Sequence, residues 1–243
     1  MKKLIVIVLT LSMLLSLAAC GGSNTPSTTP APATTTAAPA PADKTTAAAP
    51  ATTQSGGDAT TAAPAPSGSG SWETKGLPAI PAGCLSGEIL ITSVGQSTEA
   101  DSVASLLKRA KIENYTHNNT VSADAVTSSY KVLIMVVGGS SKGLGGAGLD
   151  QAKETERVTA VIEKAKSLGL TIVCMHIGGL DRRGTMSDAF INLAFPSADY
   201  AIILKDGDND DLMKNILAAK NVPTAYITKT TESRDVLAYM LGK

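Results

Sequence analysis

Apolar positions recur along this chain in two rhythms. From Glu88 onward, short unbroken apolar runs alternate with stretches in which apolar residues return every third or fourth position. The unbroken runs are EILIT (88–92), KVLIMVV (131–137), LTIVCMHI (170–177), Tyr200–Leu204 and Thr224–Ile227, and each predicts a strand. Asn114–His117 adds a short one. The intervening stretches predict helices. Thr98 with Asp101 has the spacing of a capping box and opens a helix with Val103, Leu106, Leu107 and Ala110 on one face. Ser122–Ser129 reads as a short helix. Asp150–Leu168 reads as a long one, with Val158, Val161, Ile162, Ala165 and Leu168 inward and Gly169 as its stop. Thr185 with Asp188 opens a helix through Leu193, Asp208 or Asn209 caps one reaching about Lys220, and Glu232–Leu241 is the last. Strands without polar alternation are buried on both faces, which calls for a parallel sheet between helix layers. Repeated βα units make the crossovers right-handed. The expected fold is a single α/β domain over residues 77–243, a three-layer sandwich with a mainly parallel sheet, flavodoxin-like or Rossmann-like.

The chain before this domain has neither rhythm. Residues 21–70 contain no Leu, Ile, Val, Met or aromatic residue, and their only charges are Asp43, Lys44 and Asp58. Such a segment buries too little apolar surface to offset its ordering entropy, so residues 20–76 are expected to be a disordered tether. Its Ala-Pro and Thr-Pro steps favour polyproline II; fully extended, the fifty residues 21–70 reach ~155 Å, and as a coil they span ~40 Å. At the very start, Lys2 and Lys3 precede an apolar run, Leu4–Leu17, shorter than the ~20 residues that cross a bilayer. That is the form of a signal-peptide core. It ends in Leu17-Ala18-Ala19-Cys20, which resembles the lipobox of bacterial lipoproteins. The resemblance implies that residues 1–19 are removed and that Cys20 carries acyl chains of the palmitate kind. It also implies that the protein is held at the extracytoplasmic face of the cell membrane. Two or three acyl chains on one residue make such an anchor stable. A cleaved secretory signal with an incidental Cys20 is the alternative.

Charge removes several function classes. Loss of residues 1–19 takes Lys2 and Lys3 from the 21 basic residues and none of the 21 acidic ones, which leaves a net charge of −2. No basic face for nucleic acid is expected. Cys84 and Cys174 are too few for a disulfide framework, and Cys174, inside an apolar run, reads as a small buried hydrophobe; a bridge between the two stays open.

Candidate chemistry collects where strands end, because open α/β sheets bind ligands beyond the carboxyl ends of their strands. Those ends carry Ser93-Val94-Gly95-Gln96-Ser97, then Gly138 to Gly148, then Gly178 to Gly184, then Asp206 to Asp211. The first three share hydroxyls, glycines and positive charge. Ser93, Gln96, Ser97, Ser140 and Ser141 supply donors, Lys142, Arg182 and Arg183 supply charge, and His176 ends its strand facing the same edge. Glycines let backbone N–H groups approach a ligand, and helix starts favour negative charge. A carboxylate or phosphate is the ligand this set suits. Other motifs fail. Gly143, Gly145 and Gly148 match the dinucleotide spacing but do not follow the first strand, and no Walker A lysine occurs. The Asp206–Asp211 loop does not fit an EF-hand. No metal or other cofactor is expected, and no Gly-x-Ser-x-Gly elbow marks a nucleophile.

Three of these segments together carry a further resemblance. SVGQS at 93–97, VVGGSSKGLG at 136–145 and MHIGG-x-x-RRG-x-x-SD at 175–188 resemble an uncharacterised bacterial family known only as a domain of unknown function, over about residues 86–230. The resemblance implies an α/β sandwich and a shared site built from those loops, and it implies no activity. The expected function is a lipid-anchored extracytoplasmic domain that binds a small anionic solute, in the service of a transporter or sensor. The alternative is a hydrolase of small phosphate or carboxylic esters, with His176 and a loop serine or aspartate.

Overall fold

The computed structural model describes residue 70 and residues 72–243. The expected signal segment, Cys20 and nearly all of the tether lie outside the described residues. Six strands form one sheet: β1 (Glu88–Val94), β2 (Tyr115–His117), β3 (Tyr130–Val137), β4 (Thr171–His176), β5 (Tyr200–Leu204) and β6 (Thr224–Ile227). Their order is β2-β1-β3-β4-β5-β6, and every neighbouring pair is parallel. This is the flavodoxin-like strand order extended by one strand rather than the dinucleotide-fold order, and it decides between the two expected variants. Among the described residues six α-helices accompany it: α1 (Glu99–Arg109), α2 (Ser141–Gly146), α3 (Gln151–Ser167), α4 (Thr185–Ala194), α5 (Leu212–Ala218) and α6 (Ser233–Met240).

The unbroken apolar runs are explained by two cores. Successive strand side chains point to opposite faces. Leu90, Leu133, Met135, Ile172 and Cys174 pack with α3, α4 and α5 on one face. Ile89, Ile91, Ile134, Val173 and Met175 pack with α1 and α6 on the other. Because β1 has its sequence neighbour β2 on one side and β3 on the other, the winding reverses between β1 and β3. In open α/β sheets such a reversal is where ligands bind, at the carboxyl ends of the strands.

Local signals act as expected in α3, where the Asp150 carboxylate accepts from Lys153 N and Gly169 turns the chain at φ +69°. Asp208 does cap α5, from four residues before its start, accepting from Met213 N at 2.8 Å and Lys214 N at 3.1 Å. Four expectations are corrected. Thr98 flanks α1 in a helical conformation and its side chain caps nothing. Thr185 lies inside α4, and Gly184, at φ +131°, precedes it. Ser122–Ser129 contains only one tight turn, Ala123–Ala125. The glycine-rich segment after β3, read as a loop, contains α2. Ser140 accepts from Gly143 N there, and Leu144 is buried. Glycine opposes helix by ~1 kcal/mol per residue, so tertiary packing decides this segment.

Residues 72–85 are part of the domain. Glu73 bridges Tyr226 on the β6 edge, Trp72 meets Tyr239 edge-to-face at 5.4 Å, and Pro78 O accepts from Thr224 N. Leu77, Ile80 and Leu85 are buried. Lys75 donates to Asp211 at 2.9 Å and lies over the Tyr226 ring, whose hydroxyl donates to the fully buried Asp208 at 2.6 Å. Cys84 and Cys174 are unbridged. Burial pushes the Cys174 thiol far above its ordinary range, so it remains a protonated core residue.

Candidate functional site

The crevice between β1 and β3 is framed by a buried polar network. Glu154, in the first turn of α3, is fully buried and fixed by Arg157, which donates to both carboxylate oxygens at 2.8 Å. Arg157 also donates to Ser93 O at 2.6 Å and Val121 O at 2.9 Å. Glu154 in turn accepts from Gly95 N at 2.8 Å and from Gln96 Nε2 at 3.1 Å. Gln96 sits at φ +58° and also donates to Asn119 O. The Ser93 hydroxyl donates to Ser97 O at 3.3 Å. Ser93 and Gln96 therefore hold the β1 loop in shape with their own polar groups. Gly95 is required where the β1 loop meets the residue that follows β3: a Cβ there would stand 2.5 Å from Gly138 O.

On this frame two buried polar atoms lack partners. Ser97 is 2% exposed and its Oγ bonds to nothing; Glu99 is 8% exposed and its Oε2 bonds to nothing. Both surround Gly138, where a Cβ would lie 2.8 Å from Ser97 Oγ and 3.7 Å from Glu99 Oε2. The other Glu99 oxygen, Oε1, meets Arg182 Nε at 2.8 Å. The Arg182 side chain crosses Gly178, which has no room for a Cβ beneath it. Ser97 and Glu99 open α1, whose start no side chain caps. The first-turn N–H groups of a helix carry partial positive charge. A groove of about 500 Å³ runs along the same turn, between Thr98, Asp101 and Ser102 on one side and Thr230 and Thr231 on the other. A larger groove, about 700 Å³, lies at the amino ends of β4–β6 beside Leu170, Tyr200 and Pro223. That is the edge open α/β sheets do not use for ligands.

The remaining expected residues divide. Arg183 is fully engaged: it donates to Asp188 at 2.6 Å, to Gly207 O at 2.6 Å and, in a fork, to both oxygens of Asp210 at 2.9 Å. The fork holds the Asp210 carboxyl down at about 2. Arg183 thus ties the β4 loop to the β5 loop. Its charge is neutralised, so the edge carries less free positive charge than its arginines suggest. Ser140 caps α2; Ser141 and Lys142 are exposed on its first turn, and Lys142 has no ion pair among the described residues. His176 is fully buried, with Nδ1 2.9 Å from Val137 O and Nε2 3.3 Å from Gly179 O. No loop serine is its partner. The structure brings Ser97 and Arg182 together, leaves Lys142 apart, and adds Glu99. In sequence Glu99 reads only as an acidic residue in a helix's first turn. Its meaning depends on Arg182, 83 positions away, and no local signal joins them.

The fold and this crevice define a class: a doubly wound, all-parallel α/β protein with a partly unsatisfied polar site at the reversal in strand order. Residues 86–241 match the model of a family described as Domain of unknown function (DUF6305), and the chain belongs to that family. No curated protein matches the sequence. Similar solved structures include the RcsB response regulator of Salmonella typhimurium, at 10% identity and TM-score 0.29, covering 65% of this chain and 69% of that one. A GDSL-like lipase of Bacteroides thetaiotaomicron is similar at 8% identity and TM-score 0.28, covering 56% and 65%. A psychrotrophic esterase of Pseudoalteromonas sp. is similar at 11% and 0.27, covering 58% and 78%. Likenesses at these values carry no argument about activity.

Proposed function

We propose that this protein is a lipoprotein anchored through Cys20 to the extracytoplasmic face of the cell membrane, and that its α/β domain binds a small anionic solute at the β1–β3 crevice. The observation that carries the reading is the Ser97 hydroxyl, buried without a partner beside the uncapped start of α1. A buried hydroxyl left unpaired costs ~1–3 kcal/mol, so such an atom in a crevice points to a bond made by something else. The helix start favours a carboxylate or phosphate there. Arg182, its side chain 42% exposed, supplies the full charge beside Glu99. Anchoring puts the crevice where an incoming solute is met first, which suits an accessory to a transporter or sensor.

Thermal-shift and calorimetric titration of the chain with carboxylates and inorganic phosphate tests this. Binding at one site per chain is expected, weakened by Ser97→Ala and by Arg182→Ala and unaffected by Lys142→Ala. Binding that ignores Ser97 and Arg182, or no binding of any anion, removes the reading.

A further inference from the structure

Resting on that anion-binding reading, we infer that the crevice selects an acid that also carries a hydrogen-bond donor, a hydroxyl or an ammonium, on the carbon next to its acid group. Glu99 is the reason. A site built for an anion alone would hold donors only. Here a carboxyl oxygen, Glu99 Oε2, stands buried and unpaired in the same crevice as Ser97 Oγ, across the bare Cα of Gly138. An unpaired carboxylate oxygen accepts and never donates. Facing a simple carboxylate or phosphate, it would add repulsion and stay unsatisfied. Facing a donor on the solute, it gains a charge-assisted bond.

The rest of the crevice fits the other end of such a molecule. Arg182 and the first turn of α1 flank Glu99, so acid-binding and donor-binding groups are adjacent. A site whose buried polar groups pair with a solute's donor discriminates strongly against the same solute without it. Arg182 has a second part. It rides on a tight turn, Leu180–Arg182, bracketed by Gly179 at φ +67° and Gly184 at φ +131°. Leu180 on that turn is the one large apolar side chain standing exposed among the described residues. The turn is joined to Glu99 through the Arg182–Glu99 pair.

The test is calorimetric titration of the full chain, in detergent, with matched acids: propionate, lactate and alanine, then succinate, malate and aspartate, with inorganic phosphate alongside. Within at least one set, the hydroxy or amino acid is expected to bind about tenfold or more tightly than the plain acid. Lactate and malate against alanine and aspartate tell hydroxyl from ammonium. Glu99→Gln keeps the shape and an acceptor but removes the charge. It is expected to weaken the ammonium-bearing acids by about tenfold, the hydroxy acids less, and the plain acids not at all. If plain acids or phosphate bind as well as their substituted partners, and Glu99→Gln changes none of them, the inference is overturned while the anion-binding reading stands. If none of the seven binds, both fall. A melting curve for Glu99→Gln alongside wild type separates lost selectivity from lost fold.

Discussion

Glu154 and Glu99 are two acids at two helix starts, and their surroundings give them opposite work. Glu154 has every oxygen engaged: Arg157, Gly95 N and Gln96 all donate to it in full burial. Glu154→Ala would leave Arg157 buried and uncompensated. It is expected to cost ~3–5 kcal/mol in chemical denaturation, a core-sized loss from a polar residue. Glu99 has one oxygen idle, so Glu99→Gln is expected to alter selectivity with much less effect on stability. Gly138 gives a separate test of the crevice. Its φ is not in the left-handed range, so Gly138→Ala suits the backbone, but the new Cβ would lie 2.8 Å from Ser97 Oγ. Overpacking should cost ~1–3 kcal/mol. Solute binding, measured by titration, should be weakened because the methyl crowds the Ser97 hydroxyl that the proposed site uses. Retention of full affinity in a folded Gly138→Ala chain would place the solute elsewhere. Asp210 makes a pH prediction. Arg183 depresses its folded pKa to about 2, below the ~3.9 of an unfolded chain. Its contribution is therefore complete above about pH 4 and lost as pH falls through about 2. Asp210→Asn should flatten that part of the acid-denaturation profile, and an unchanged profile would show that the Arg183 fork is not formed in solution.

At the scale of elements, what could be read in the sequence follows how local its cause is. Five of the six strands were legible because burial on both faces is written into the strand itself, as in Lys131–Val137, whereas the short edge strand β2 is half-exposed. Helix α3 was legible because its cap, its apolar face and its stop lie within one segment. Helix α2 was not. Three of its six residues are glycine, and it forms because Leu144 enters the core and Gly143 packs against Gln96 O, where a Cβ has no room. The capping boxes at Thr98 and Thr185 had the right spacing, but the chain enters each helix on a different residue or conformation. The site divides likewise. Ser97 and Arg182 were legible from loop position, while the engagement of Arg183 by Asp188 and Asp210 and the role of Glu99 required three loops to be folded together. The segment 72–85, before the family-matched residues, shows the same dependence. It bears no regular element, yet it buries Leu77, Ile80 and Leu85 and edges β6. Each such side chain contributes ~1.5–3 kcal/mol of burial. A chain starting at residue 86 is expected to unfold at markedly lower denaturant than one starting at residue 70, with Trp72 fluorescence following the segment's release in the longer chain. Equal midpoints would show that the segment is an accessory strap.

The proposed layout joins the α/β domain to a sequence start that resembles a lipoprotein signal. Among the described residues no helix is long and apolar enough to cross a membrane. Among the described residues the apolar side chains are turned inward to two cores, and Leu180 alone of the large ones stands exposed. Past Cys20 the charge is −2, which gives no attraction to anionic lipid. In the proposed layout the attachment therefore rests on a single residue. Glu73 adds a constraint at the other end of the tether: it pairs with Lys205 at the carboxyl end of β5, so the domain begins at the same sheet edge that holds the crevice. Cys20→Ala is expected to release the protein entirely from the membrane fraction into the extracytoplasmic soluble fraction and to abolish labelling by a palmitate analogue. The titration behaviour of the crevice should be unchanged, because the anchor and the site share no residue. A Cys20→Ala chain that still sediments with membranes after a high-salt wash would mean that the domain itself holds a membrane partner, and the lipid-anchor reading would then fail.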